Sequence, residues 1–296
     1  MKKLYDFITK TWTGSFGLIF IIYFFIFQPF SIPSKSMQNT LLVNDYFFVS
    51  KSAYGIPIPR IPILEIPLLP DFNDNGHLIE GSKPKRGDIV VFRYPKNEKI
   101  YYIKRTIATG GDQVIYYKEN LLIHSKDKKW MDSYKEKDKV TFNNKIWVKN
   151  PYKKIYPGIN YNKKEGIPFE QATGTIDMKK MTSKELGDYF YKEVEEGSFY
   201  MVGDNRNDSI DSRNWGSIQY KHVVGKPVFT FFSFGKIPFE YLLKKYPNKI
   251  DMTCHGLTMK EGKEECISRV NKDNYMRPAR IFKFISDLER KEPVYW

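Results

Sequence analysis

Three short stretches of the chain carry side chains suited to covalent chemistry. Ser36 lies in Ile32-Pro33-Ser34-Lys35-Ser36-Met37, and Lys104 in Tyr101-Tyr102-Ile103-Lys104-Arg105. Ser209 lies in Gly203-Asp204-Asn205-Arg206-Asn207-Asp208-Ser209-Ile210-Asp211-Ser212-Arg213. A serine hydroxyl is a weak nucleophile until a neighbour takes its proton. A lysine amine can be that base when neutral, and apolar burial favours the neutral form. Tyr102, Ile103, Val90 and Phe92 can supply such a setting. Serine, lysine and a second serine are the parts of a hydrolase that attacks with a hydroxyl and deprotonates it with an amine.

Other chemistries fit less well. Of the four histidines, His77, His124, His222 and His255, none sits in an evident Ser-His-Asp layout, and His222 is the best alternative base. The acidic run at Asp204, Asp208 and Asp211 fails as a calcium loop, because Arg206 takes a ligand position and no closing glutamate follows. Asn207-Asp208-Ser209 matches a glycosylation sequon, a short pattern that often arises by chance. The bland reading of this run is a turn-rich loop tied by Asp–Arg pairs.

The segment that must position Ser36 is apolar. No charged residue occurs from Thr11 to Ser34, and Phe16 to Phe27 is almost wholly hydrophobic. A helix of this length just crosses a bilayer core of about 30 Å. The exit through Gln28-Pro29-Phe30 lacks the small residues of a cleavable signal. We therefore expect a retained transmembrane anchor at 11–30 behind a cytoplasmic tail at 1–10. Lys2, Lys3 and Lys10 before it, against Lys35 after it, place the body on the outer face.

Beyond the anchor, strand patterns dominate. Strands are expected at Asp45–Ser50, Arg86–Pro95, Lys99–Thr106, Gln113–Tyr117, Leu121–His124, Lys145–Val148, Phe199–Val202 and Val228–Phe232. Thr182 and Glu185 form a capping box, and Leu186, Tyr189, Phe190 and Val194 fall on one helical face, predicting a helix that ends by Gly197. A weaker amphipathic helix is expected over Arg280–Arg290. Prolines alternating with aliphatics from Gly55 to Pro70 exclude a central strand and suggest a loop at the membrane interface, within an insertion at 55–82. A core-covering loop is the alternative. The lysine- and tyrosine-rich stretch 117–197 reads as a cap domain inserted into a catalytic core of 31–116 and 198–296.

A net charge of +14 calls for a partner or a solvated basic surface. Anionic lipid headgroups suit an exported body better than nucleic acid, for which no binding motif is present. Cys254 and Cys266 suggest a disulfide in an oxidising compartment, with two free thiols as the alternative.

Four blocks in order resemble the bacterial type I signal peptidases. They are Pro33-Ser34-Lys35-Ser36-Met37 with Thr40-Leu41, Lys85-Arg86-Gly87-Asp88-Ile89-Val90-Val91-Phe92, Tyr102-Ile103-Lys104-Arg105, and Gly203 to Arg213. The resemblance implies a mainly β fold, an antiparallel β-sheet catalytic core preceded by one N-terminal transmembrane helix. It implies a membrane-bound serine endopeptidase of the cytoplasmic (inner) membrane that removes signal peptides from exported preproteins after Ala-x-Ala sites. Carried over, Ser36 is the nucleophile, Lys104 the general base, Ser209 the residue orienting the amine, and Ser34 an oxyanion donor beside the Ser36 N–H. Asp211 pairs with Arg213 to hold the Gly203 loop, supported by Asp204 and Arg206. Phe30, Ile32, Met37, Leu41, Tyr102 and Ile103 match substrate-pocket positions. No metal, cofactor, nucleic acid or obligate protein partner is implied; the partners are signal peptides and the phospholipid membrane. One departure stands out: Asn39 occupies a position where the family usually has proline.

Overall fold

The computed structural model describes residues 2–117, 120–160, 177–235 and 275–293. Cys254, Cys266 and His255 lie outside the described residues, and with them the disulfide expectation.

The apolar N-terminal run does not form the single helix expected at 11–30. Helix α1 (Lys2–Lys10) ends, and α2 (Trp12–Ile21) begins after Thr11, whose backbone is extended and whose Oγ1 accepts the Gly14 N–H at 3.1 Å. A Cβ on Gly14 would fall 2.2 Å from the Phe7 carbonyl oxygen, so the two helices meet backbone to backbone only because this residue has no side chain. Ser15 Oγ adds a bond to the Ile8 carbonyl at 2.9 Å. After a π-helical turn at Ile22–Ile26 the chain extends into strand β1 (Phe27–Ser31). Among the described residues no helix is long and apolar enough to cross a membrane. Lys51 donates to the carbonyls of Tyr23 and Phe24 at 3.2 and 3.1 Å, placing a cation where a helix end favours one.

β1 is drawn into the sheet by β2 (Asp45–Ser50), pairing antiparallel from Phe27↔Ser50 to Ser31↔Tyr46. The sheet continues through β15 (Val223–Gly235), β5 (Ile89–Tyr94), β6 (Asn97–Thr109), β13 (Ser198–Val202) and β14 (Ile218–Gln219). β16 (Tyr275–Met276) and β17 (Lys283–Phe284) pair with β15 off this path. All these pairings are antiparallel, and the strand expectations at 45–50, 86–95, 99–106, 199–202 and 228–232 each fall on one of them. The proline-rich insertion contributes only a two-stranded ribbon, β3 (Gly55–Pro57) with β4 (His77–Glu80), as prolines require.

A second antiparallel sheet has the order β11 (Lys179–Ser183), β12 (Gly187–Glu193), β7 (Gln113–Tyr117), β8 (Asn120–His124), β10 (Lys145–Lys149), β9 (Lys139–Phe142). The helix expected over 182–194 is instead the β11–β12 hairpin. Gly187 takes a left-handed φ of 74° in its turn, Ser183 Oγ accepts the Leu186 N–H, and Thr182 donates to Asp188 rather than capping a helix. The aromatics that mimicked a helical face suit a strand, and Phe190 pairs with Tyr116 of β7. Ile107, Ala108, Tyr200 and Val202 of the first sheet share one core with Val114, Tyr116, Leu121, Ile123 and Phe190 of the second. The C-terminal amphipathic helix shrinks to one turn, Ile285–Leu288, after Phe282 breaks the chain direction at φ 54°. Its Ile285 and Leu288 pack under Ile32, Met37, Leu41 and Val49.

Candidate active site

Ser36 sits in a single 3₁₀ turn, Lys35–Met37, directly after β1 and buried at the sheet's edge. The turn is held from two sides. Following it, Gln38 (φ −47°, ψ 143°) and Asn39 (φ 78°) form a type II turn closed by the Thr40 N–H on the Met37 carbonyl at 3.1 Å. The third position of such a turn needs a positive φ, which asparagine tolerates and proline's ring forbids. The departure at Asn39 is therefore built into the local geometry. From the other side, the Asn205 N–H donates to the Ser36 carbonyl at 3.1 Å and its side-chain amide to the Lys35 carbonyl at 3.1 Å.

Lys104 comes from β6, opposite Val90 of β5. Its Nζ lies 2.7 Å from Ser36 Oγ and 2.9 Å from the Ile103 carbonyl. The side chain is 3 % exposed, and the Tyr102 ring stands 5.3 Å from the amine. Burial pushes the lysine pKa from 10.5 down to about 8, against the opposing charges of Asp211 and Asp204. An amine so placed can take the hydroxyl's proton in its neutral form and return it in its charged form.

The Gly203–Arg213 run wraps this pair. A Cβ on Gly203 would lie 2.3 Å from Ser209 Oγ and 2.5 Å from the Ser36 carbonyl oxygen, so this position requires glycine. Arg213 holds Asp211 through two bonds, at 2.8 and 2.9 Å, and donates to the Arg206 carbonyl at 2.7 Å. Asp211 accepts the Gly203 N–H at 3.0 Å. Burial works against charge on Asp211, but the Arg213 guanidinium keeps its carboxyl below the usual range. Asp204 is also wholly buried; its guanidinium partner is Arg105, bidentate at 2.8 and 2.7 Å, while Arg206 is engaged through its backbone with Asn160. Thr40 Oγ1 donates to the same carboxylate at 2.6 Å. Here too burial opposes charge, and Arg105 outweighs it.

Ser34 Oγ stands 3.3 Å from Ser36 Oγ, within reach of a group on the hydroxyl. Ser209 Oγ is buried against Gly203 and makes no hydrogen bond to Lys104 Nζ, whose contacts are Ser36 Oγ and the Ile103 carbonyl. His222 faces Glu98 at 3.7 Å rather than a serine. Of the pocket positions, Phe30, Ile32, Met37, Leu41 and Ile103 join one cluster, with Met37 and Leu41 fully buried behind its surface. Tyr102 lies on the other face of β6, against Tyr94 and Trp215.

Several positioning residues carry no local sequence signal. Arg280 binds Asp45 and the Thr40 carbonyl, at 2.6 and 2.9 Å, and Glu289 binds Arg105 at 2.8 Å. These contacts cross 184 to 240 residues. Only the Asp–Arg content of the Gly203 run hinted at buried ion pairs.

The family model for signal peptidases, peptidase S26, matches residues 7–232. Signal peptidase I of Helicobacter pylori strain 26695 is 43% identical over 245 residues, covering 79% of this chain and 84% of the relative. Signal peptidase I of Buchnera aphidicola from Acyrthosiphon pisum is 34% identical, covering 75% and 73%. A crystal structure of a signal peptidase I from Enterococcus faecalis is 25% identical, covers 49% of this chain and 97% of that one, and superposes with a TM-score of 0.28, too low to add to the fold. The family match and the extent of identity together establish that the chain belongs to the bacterial type I signal peptidases, serine peptidases that remove signal peptides from preproteins.

Proposed function

We propose that Ser36 is the nucleophile and Lys104 the general base of a membrane-bound endopeptidase that cuts preproteins after Ala-x-Ala sites. The observation that carries this reading is the 2.7 Å approach of a buried amine to a buried hydroxyl. Neutral Lys104 removes the Ser36 proton, the oxygen attacks the scissile carbonyl, and the resulting ammonium protonates the leaving amine. Water then hydrolyses the acyl-enzyme with the same lysine as base. The Ser34 hydroxyl and the Ser36 N–H receive the developing oxyanion. Asp211–Arg213 and Asp204–Arg105 keep the surrounding loop rigid, and Ser209 fills the space behind Gly203.

The same reading places the body at the outer face of the cytoplasmic membrane, with residues 11–30 as retained anchor. Its support is the run of exposed apolar side chains on α2, Trp12, Phe16, Ile19, Phe20 and Ile21, together with Ile63, Leu64, Ile66 and Phe72 of the insertion. Phe232 of β15, Phe284 of β17 and the adjacent Phe282 are exposed as well.

The test is cleavage of a purified preprotein in detergent by wild type, Ser36→Ala and Lys104→Met, with the cut read by mass spectrometry. Cutting after Ala-x-Ala by wild type alone is expected. Equal cutting by all three would end the Ser-Lys assignment. Residues 11–30 are tested by alkaline extraction of membranes; release into the soluble fraction would refute the anchor.

A further inference from the structure

The tip of the proline-rich insertion folds back onto the sheet beside the substrate cluster. Tyr101 Oη donates to Glu65 Oε2, a contact that links the insertion to β6 three residues before Lys104. The tip is itself braced. Arg60 pairs with Glu98 and donates to the Glu65 carbonyl at 3.1 Å, while the Glu65 N–H donates to the Ile61 carbonyl at 2.9 Å. Ile63 and Glu65 both hold left-handed φ, at 70° and 54°, a conformation that costs non-glycine residues energy and persists only where surroundings impose it.

Tyr101 transmits this anchorage to the cleft. Its ring meets Phe30 edge-on at 5.1 Å, and Phe30 lies 6.4 Å from Phe47. Tyr101 and Ile103 share a face of β6, and with Phe30 they cover the cluster of Ile32, Phe47 and Val91. The buried Arg93 lies opposite Tyr101 in β5, and the phenol's hydrogen-bond partner is Glu65. A tyrosine held at its oxygen by Glu65 and at its ring by Phe30 cannot swing away to admit a larger side chain. An extended substrate presents its first and third residues before the cut on one face. Phe30 and Tyr101 lie farther along their strands from Ser36 and Lys104 than Ile32 and Ile103 do, where the third residue would sit.

We infer that Glu65 and Tyr101 are positioning residues through which the insertion limits the size of the substrate side chain accepted at the third position before the cut. This rests on the proposed function of Ser36 and Lys104. Glu65 acts from outside the cleft, through the phenol it holds.

The test compares kcat/KM for two peptides that differ only at that third residue, alanine or leucine. Tyr101→Ala should raise the leucine peptide relative to the alanine peptide by ~10-fold or more, as expected where a pocket gains room for extra methylenes. Tyr101→Phe and Glu65→Ala keep the ring but free it, and each should shift the ratio in the same direction by a smaller factor. Their double variant should shift it no further than either alone, and Glu65→Gln, which still accepts from the phenol, should restore the wild-type ratio. A merely structural role would lower both peptides equally. An unchanged ratio in Tyr101→Phe and Glu65→Ala, beside a wild type that cuts the alanine peptide, overturns this inference alone. Wild type that leaves the alanine peptide intact overturns the proposed function and this inference with it.

Discussion

Replacing Lys104 by methionine exposes two consequences of burying an amine beside Ser36. The ordinary lysine value is 10.5, and burial lowers it here to about 8. Below pH 8 both folded and unfolded chains carry the proton, so folding must bury a charge. Between 8 and 10.5 the unfolded chain binds more protons than the folded one, and wild-type stability rises with pH. Above 10.5 neither state is charged and the penalty is gone. At about 1.36 kcal/mol per pH unit, the interval from about 8 to 10.5 corresponds to about 3 kcal/mol. Methionine removes this charge penalty, but also the contacts of Nζ with Ser36 and Ile103, worth about 1 kcal/mol each and constant over this range. The pH-dependent part is therefore the clean observable. Urea unfolding in detergent, followed by tryptophan fluorescence, should show the variant's stability relative to wild type falling by about 2–3 kcal/mol between pH 7 and pH 10. Other titrating groups are common to both proteins and cancel. The same protonation sets the rate: about a tenth of the enzyme holds neutral lysine at pH 7 and about half at pH 8, so wild-type kcat/KM should rise about five-fold between them. A stability difference independent of pH, or a flat rate profile, would refute the buried-amine argument.

Other expectations follow from single contacts. Gly203→Ala drives a methyl group into Ser209 Oγ and the Ser36 carbonyl, and should cut kcat/KM by about 100-fold or more with little change in the far-ultraviolet circular dichroism spectrum. Asn39→Gly should retain activity, whereas Asn39→Pro cannot adopt a φ of 78° and should lower both activity and stability, by about 2–3 kcal/mol in urea. Asp204→Ala leaves the buried Arg105 with Glu289 as its one carboxylate among the described residues and should cost about 3–5 kcal/mol, read as a lowered unfolding midpoint. Because Arg105 and Arg213 hold the carboxyls of Asp204 and Asp211 below the usual range against burial, their stabilisation is present above that range and should fade as pH falls through their lowered values.

The candidate chemistry was legible because it depends on residue types in short blocks. Ser36, Lys104 and the Gly203–Arg213 run announce themselves by composition, and the period-two apolar strands around them announce a β body. Local pattern failed where two structures satisfy the same spacing. Leu186, Tyr189, Phe190 and Val194 fit a helical face, yet Phe190 gains a partner in Tyr116 only as a strand, and that pairing decides. The apolar run from Thr11 reads as one helix until β2 captures Phe27–Ser31 and Gly14 lets α1 cross α2.

The sequence by itself marked the candidate reactive groups, the β character of the body and a turn residue at Asn39. Tertiary structure alone decided which charges meet. Arg105 received Asp204 across 99 residues, Glu289 reached Arg105 across 184, and Arg280 reached Asp45 across 235. Covalent spacing limits contacts within a turn or a strand pair. Beyond that, buried ions are placed by which sheets pack together, and only burial makes their pairing compulsory.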